Sequence, residues 1–229
     1  MSLLAVLLAA VGTADLTRLV PTQVSRRTDL VRAVGVGALV ALVLARALGF
    51  GWHSIWIAVL SGAVVTAVSL PHTRWTPWVL PASIVLVLAT GHQVPRARPP
   101  IATWYESLEI TGLAEVSIPD AALAVAVALF LMQSANVVVR RVLTDAGPDV
   151  IAEEQQLKGG RILGPIERLA IFALALSGNV AAISAIVAAK GILRFPEINR
   201  DHASGLKAEY VLVGSFVSWG LALVFVPLF

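Results

Sequence analysis

The chain has 229 residues, 58% of them hydrophobic and only 14% charged, with a mean hydropathy of +0.85. Soluble domains carry about a quarter charged residues, so the composition points to a membrane protein, and a formal net charge of +3 without a basic tract gives no footprint for nucleic acid. Cysteine is absent, which excludes disulfides, thiolate nucleophiles and cysteine metal sites.

The opening "MSLLAVLLAAVGTADLTRLVP" lacks the basic start of a signal peptide and leads into Asp15 and Arg18, so it reads as a retained first helix. Asp15 and Arg18, three apart, suit a local ion pair. Further apolar runs follow at 31–49, 53–70, 77–92, 118–141, 165–195 and 209–228, after the first at 2–19. They are near the roughly 20 residues that a membrane span needs. Pro21, the Gly49/Gly51 pair, Pro71, "PRARPP", Gly147/Pro148 and "FPEINRDHASG" separate them. This predicts an all-α polytopic bundle forming a single transmembrane domain over 1–229. His53, His72, His92 and His202 lie far apart, with no metal-ligand spacing, and no cofactor motif is present.

The segment 93–117 carries Glu106, Glu109 and Glu115 with Trp104 and Tyr105, the pattern of a short helix lying on headgroups in an outer interfacial loop. In the fifth span, "LFLMQSANVVVRR" places Gln133, Asn136 and Arg140 three and four apart on one stripe. Polar groups at membrane depth face the bundle interior or a water-filled cavity, and interhelical hydrogen bonding is the favoured use of this stripe. The loop 142–164 follows, ending in "LKGGRILGPIERLA". There Arg161 stands among Gly159, Gly160 and Gly164, Pro165 suits the first turn of a helix beginning at that point, and Glu167 and Arg168 come next. Helix N-terminal amides attract anions.

The stretch "IERLAIFALALSGNVAAISAIVAAKGILRF" is too long for one ordinary span, since about 30 residues at 1.5 Å each make roughly 45 Å. Its middle, "SGN", tolerates a tight turn, so the expectation over 165–195 is a re-entrant hairpin of two half-length helices. Charge supports it, because cytoplasmic loops collect Lys and Arg. With a hairpin, 14 of the 17 Lys and Arg fall inside, all but Arg46, Arg96 and Arg98; with a single crossing Lys190, Arg194, Arg200 and Lys207 move out and 10 remain. The expected arrangement is therefore about six full spans plus the hairpin, in a bacterial inner membrane, with both termini outside. Lys190 and Arg194, four apart, end the hairpin's second arm on one face. They can snorkel to headgroups or clamp a phosphate or carboxylate between a point charge and a planar fork. Ser177, Ala181, Ala185 and Ala189 recur every four residues, a face that lets helix backbones approach in lipid and predicts burial against other helices of the chain, a protein partner or a second copy.

The segments "GRILGPIERL", "AAKGILRF" and "AEYVLVGSFVSWGLAL" resemble the end of a family of small bacterial inner-membrane proteins with a domain of unknown function. The likeness covers about 65 residues of the C-terminal third, is weak at "TADLTRL" and is lacking in the middle of the chain. It implies a bacterial membrane protein with its signature in the hairpin and last span, and it supplies no reaction. Three functions stay open: binding or transport of a small anion or lipid phosphate, with Arg161, Glu167, Arg168, Lys190 and Arg194 at the hairpin base and Gln133, Asn136 and Arg140 along the path; a non-catalytic subunit or assembly factor of a membrane complex; and an enzyme acting on a lipid headgroup with Glu167 or Glu209 as base. The last has no paired carboxylates or activated nucleophile to suggest a mechanism. Membrane lipid is the partner common to all three.

Overall fold

The computed structural model describes residues 1–19, 25–69, 76–110, 112, 115–146, 160–199 and 206–229, with the side chains of Arg161, Arg194 and Glu209 among those outside the description. The described residues are helical and include no strand. In chain order they form α1 (Ser2–Thr17), α2 (Arg26–Ala47), α3 (His53–Ser69), α4 (Thr76–Thr90), the short α5 (Ala102–Glu106), α6 (Ile118–Leu129), a π-helical turn (Phe130–Ser134), α7 (Ala135–Ala146), α8 (Gly160–Leu176), α9 (Val180–Asn199), α10 (Leu206–Leu223) and a final 3-10 turn (Val226–Leu228). Three stretches are long and apolar enough to cross a membrane: Arg27–Ala47, Ile118–Thr144 and Val211–Leu228. Ser2–Thr17, His53–Ser69, Trp78–Thr90 and Val180–Leu193 are apolar but shorter. Two compact units divide the chain, Met1–Phe130 and Leu131–Phe229.

In the first unit α1 is the central element. It is apolar nearly all round, as a fully buried helix must be, and it packs against α2, α3, α4 and α6. Glycines set its closest contacts. At Gly12 a Cβ would stand 2.8 Å from the Leu129 carbonyl carbon and 2.9 Å from the Phe130 nitrogen; at Gly37 it would stand 2.9 Å from the Ala10 oxygen. Val6, Ala10, Ala41, Ala45, Leu48, Phe50 and Ala58 make a continuous core. The pair expected at the end of α1 forms, with Arg18 Nη1 2.9 Å from Asp15 Oδ1, and Arg18 also donates to Ser69 Oγ on α3. Between α2 and α3, Gly49 and Gly51 take positive φ (+88° and +54°), a backbone state that costs a residue with a Cβ about 1 to 2 kcal/mol. In the predicted outer loop, α5 is the α-helix among the described residues up to Ser117. Trp104 is exposed there, and Tyr105 donates to the Val116 carbonyl at 3.0 Å.

The second unit holds α7, α8, α9 and α10, with α10 packed on α7, α8 and α9. The loop predicted over 142–164 lies outside the described residues from 147 to 159. Its end departs from expectation, because α8 begins at Gly160 and Pro165 sits inside it. Proline removes one backbone donor, the one that would bond the carbonyl four residues earlier, and the helix continues across that single gap.

The chain breaks at "SGN" for a legible reason. Gly178 has φ +71°, and the Asn179 and Gly178 amides return to the Leu174 and Ala175 carbonyls at 2.9 and 3.0 Å, which closes α8 in a Schellman motif. Asn179 then accepts from the Ala182 amide at 3.1 Å and so caps the start of α9. The two arms run 17 and 20 residues, longer than the predicted 165–195 element. Within the chain the small-residue face departs from the expected burial. Ala181, Ala185 and Ala189 are exposed, while Ala182, Ile183, Ile186, Val187 and Lys190 are half-buried, so the stripe next to the small-residue face is the one turned to α8 and α10.

Candidate functional site

Glu167 and Arg168 are consecutive on α8 and therefore point about 100° apart around the helix axis. Ser218 and Trp219 are consecutive on α10 in the same way. The two pairs match. Glu167 accepts through Oε1 from Trp219 Nε1 at 2.6 Å and through Oε2 from Lys190 Nζ of α9 at 2.7 Å. Lys190 Nζ also lies 5.3 Å from the centroid of the Trp219 ring, within reach of a cation–π attraction. One carboxylate, one ammonium and one indole thus tie α8, α9 and α10 together, with the Glu167 side chain 7% exposed and that of Lys190 19%.

Arg168 serves the other side of α8. It is 2% exposed and makes three bonds, from Nε to the Leu131 carbonyl at 2.9 Å, from Nη1 to Ser218 Oγ at 3.1 Å and from Nη2 to Asn136 Oδ1 at 2.6 Å. The Leu131 carbonyl belongs to the π turn, where the regular i to i+4 ladder is interrupted and an oxygen is left for another donor. Asn136 is oriented by a long bond to the Gln133 amide oxygen at 3.4 Å. A Cβ at Gly164 would stand 3.4 Å from Arg168 Nη1, so this glycine borders the internal guanidinium.

Of the residues singled out in the sequence, the fold joins Glu167 with Lys190 and Arg168 with Asn136, and sets Gln133 beside Asn136. Arg140 lies one turn further along α7 and is exposed. The side chains of Arg161 and Arg194 lie outside the described residues, as does that of Glu209. Three participants had not been singled out: Trp219, Ser218 and the Leu131 carbonyl. A sequence signal existed for the first, since an indole N–H inside an apolar run needs an acceptor. The π turn had none, as its five residues "FLMQS" read as ordinary helix.

The cluster holds two cations, Arg168 and Lys190, and one carboxylate, Glu167, among the described residues. The acceptors around Arg168 are all neutral. No group of three or more His, Asp or Glu able to hold a metal ion occurs among the described residues. The three segments "GRILGPIERL", "AAKGILRF" and "AEYVLVGSFVSWGLAL" supply Glu167 and Arg168, Lys190, and Ser218 and Trp219 respectively, so they meet in one place. Comparison of the chain with protein-family models, with curated proteins and with solved structures finds no match.

Proposed function

We propose that this chain is an integral protein of a bacterial inner membrane that binds or transports a small anion or a lipid phosphate at the cytoplasmic base of the α8–α9 pair. The supporting observation is the Glu167 carboxylate seated between Lys190 Nζ and Trp219 Nε1, at 2.7 and 2.6 Å. These donors suit a carboxylate or phosphate oxygen from any source. Ionisable side chains inside membrane segments are costly and mark substrate or ion paths. Arg194, one turn beyond Lys190, and Arg161, at the start of α8, are the further cations of the site by their place in the sequence.

The topology belongs to the same proposal: six full spans, an α8–α9 pair that enters and leaves by the cytoplasmic face, and both termini outside. The apolar part of α9, Val180–Leu193, makes about 21 Å of helix and that of α4, Trp78–Thr90, about 20 Å, both short of the roughly 30 Å hydrocarbon core, so the division of Lys and Arg, not helix length, favours re-entry. The likeness of the three C-terminal segments to uncharacterised bacterial inner-membrane proteins is part of the proposal too. A second reading, a non-catalytic subunit of a larger complex, is favoured by the exposed small-residue face of α9 beside Ile192 and Leu193, 73% and 74% exposed.

Native mass spectrometry of the wild type, Arg194→Lys, Lys190→Ala, Arg161→Ala and the Lys190→Ala/Arg161→Ala pair separates these readings. The anion site predicts that Arg194→Lys weakens retention of anionic lipid or small anion by about 1 to 3 kcal/mol, the worth of a charged hydrogen bond, and that the double variant is non-additive. Retention unchanged across the set makes the cations interfacial anchors. A stable protein partner without bound anion selects the subunit reading.

A further inference from the structure

Lys190 is the accessible cation of the cluster, for Arg168 is sealed among Leu131, Asn136 and Ser218. Yet Lys190 already holds a carboxylate. An incoming oxyanion that bonds Lys190 Nζ comes within a few Å of Glu167 Oε2, itself 2.7 Å from that nitrogen. Like charges sharing one cation at that range, away from bulk water, drive a proton onto one of them. From this we infer that Glu167 is the site's exchangeable internal anion: an external oxyanion takes over Lys190 while Glu167 receives one proton from the aqueous phase, so that anion and proton bind together. The inference rests on the anion-site reading and adds its coupling ion.

The groups that face Glu167 fit this exchange. From α9 there is Lys190, and from α10 the Trp219 indole, which donates to the carboxyl whether or not it carries a proton. On α8 itself Arg168 is the chain neighbour, with its guanidinium turned to Asn136 of α7, while Arg140 of α7 is exposed. Among the described residues Glu167 is the carboxylate that bonds Lys190 and Trp219. Lys190 Nζ lies 5.3 Å from the centroid of the Trp219 ring, a face that attracts a cation. Coupling is reciprocal: if the bound anion favours protonation of Glu167, protonation favours the anion by the same factor.

The probe is a phosphodiester, whose single negative charge is constant across the pH range used. Phosphatidylglycerol in detergent and its water-soluble deacylated headgroup, glycerophosphoglycerol, form two arms that distinguish a lipid ligand from a free one. Binding to the full chain is titrated at several pH values, together with E167Q and K190M. The expected result for the wild type is affinity rising about tenfold per unit fall in pH wherever free Glu167 is ionised and bound Glu167 is protonated. In the same range binding heats in two buffers of different ionisation enthalpy should report uptake of about one proton per ligand. E167Q should bind tightly with no pH dependence, and K190M should lose binding. Wild-type affinity independent of pH with no proton uptake overturns the coupling while leaving the anion site in place. No phosphodiester binding in either arm at any pH overturns the anion site beneath it. Should E167Q fail to fold, proton uptake by the wild type decides alone.

Discussion

A guanidinium at 2% exposure among apolar helices has to find all its partners inside the protein, and Arg168 does so with a carbonyl, a hydroxyl and an amide oxygen on two other segments. A fork of this shape cannot be replaced by a point charge. Arg168→Lys should retain one of the three bonds and lower stability by about 3 kcal/mol, the loss of roughly two hydrogen bonds to a charged group, read as a fall of the melting temperature in detergent. A variant as stable as the wild type would mean that these bonds contribute nothing net. At this scale the sequence named most of the polar residues but not their pairings. Glu167 and Lys190 are 23 positions apart, and a spacing of that length says nothing about contact until the turn at Gly178 fixes how α8 and α9 lie. Ser218 was hidden because a serine also suits an ordinary membrane helix, while the Trp219 indole signalled the need for an acceptor without naming it.

Among elements, close backbone approach and exposed small-residue faces look alike in sequence and differ in the fold. Gly12 lies where α1 meets the Leu129–Phe130 backbone, and a Cβ there would be 2.8 Å from a backbone carbon, whereas a Cβ at Gly35 of α2 would meet nothing within 4 Å. Gly12→Ala should therefore destabilise the protein by about 1 to 3 kcal/mol, the range for overpacking a tight site. Gly35→Ala should be neutral or stabilising by up to about 1 kcal/mol through helix propensity. Thermal denaturation of the two variants in one detergent checks the ranking, and equal losses would remove the tight crossing. The face Ala181, Ala185, Ala189 carries the opposite lesson. The four-residue repeat predicted burial, and by that reading Ala185→Leu would destabilise more than Leu221→Ala. With Ala185 exposed and Leu221 half-buried, the expected order is reversed, and Ala185→Leu should change the stability of the isolated protein by less than about 0.5 kcal/mol. If that face docks a partner, the same variant should lose the complex while the isolated chain stays intact. Repeats of small residues record that close approach is permitted, not which surface makes it. The turn between α8 and α9 was legible because Gly and Asn each do one local task there.

For the whole molecule, composition and apolar run length identified a helical chain, and three stretches have the length and hydropathy to cross a bilayer. The remaining apolar helices are shorter, and length alone does not say whether such a helix spans by local thinning of the bilayer or stays partly embedded. Charge placement carries the topology instead, and the turn at Ser177–Asn179 makes the 14 to 3 division of cations the one to test. A cysteine at Ser177 tests depth: a re-entrant pair keeps it unreactive to an impermeant maleimide from the outer face, and two complete crossings expose it there. The claim on which the anion site depends is that both ends of the α8–α9 pair meet the cytoplasm. Single cysteines at Ser204 and Leu228, labelled with the same reagent in intact cells and in inverted vesicles, test it directly. Ser204 should react only in inverted vesicles and Leu228 only in intact cells; labelling of Ser204 from the outer face alone would contradict the topology and separate the cations that the site requires.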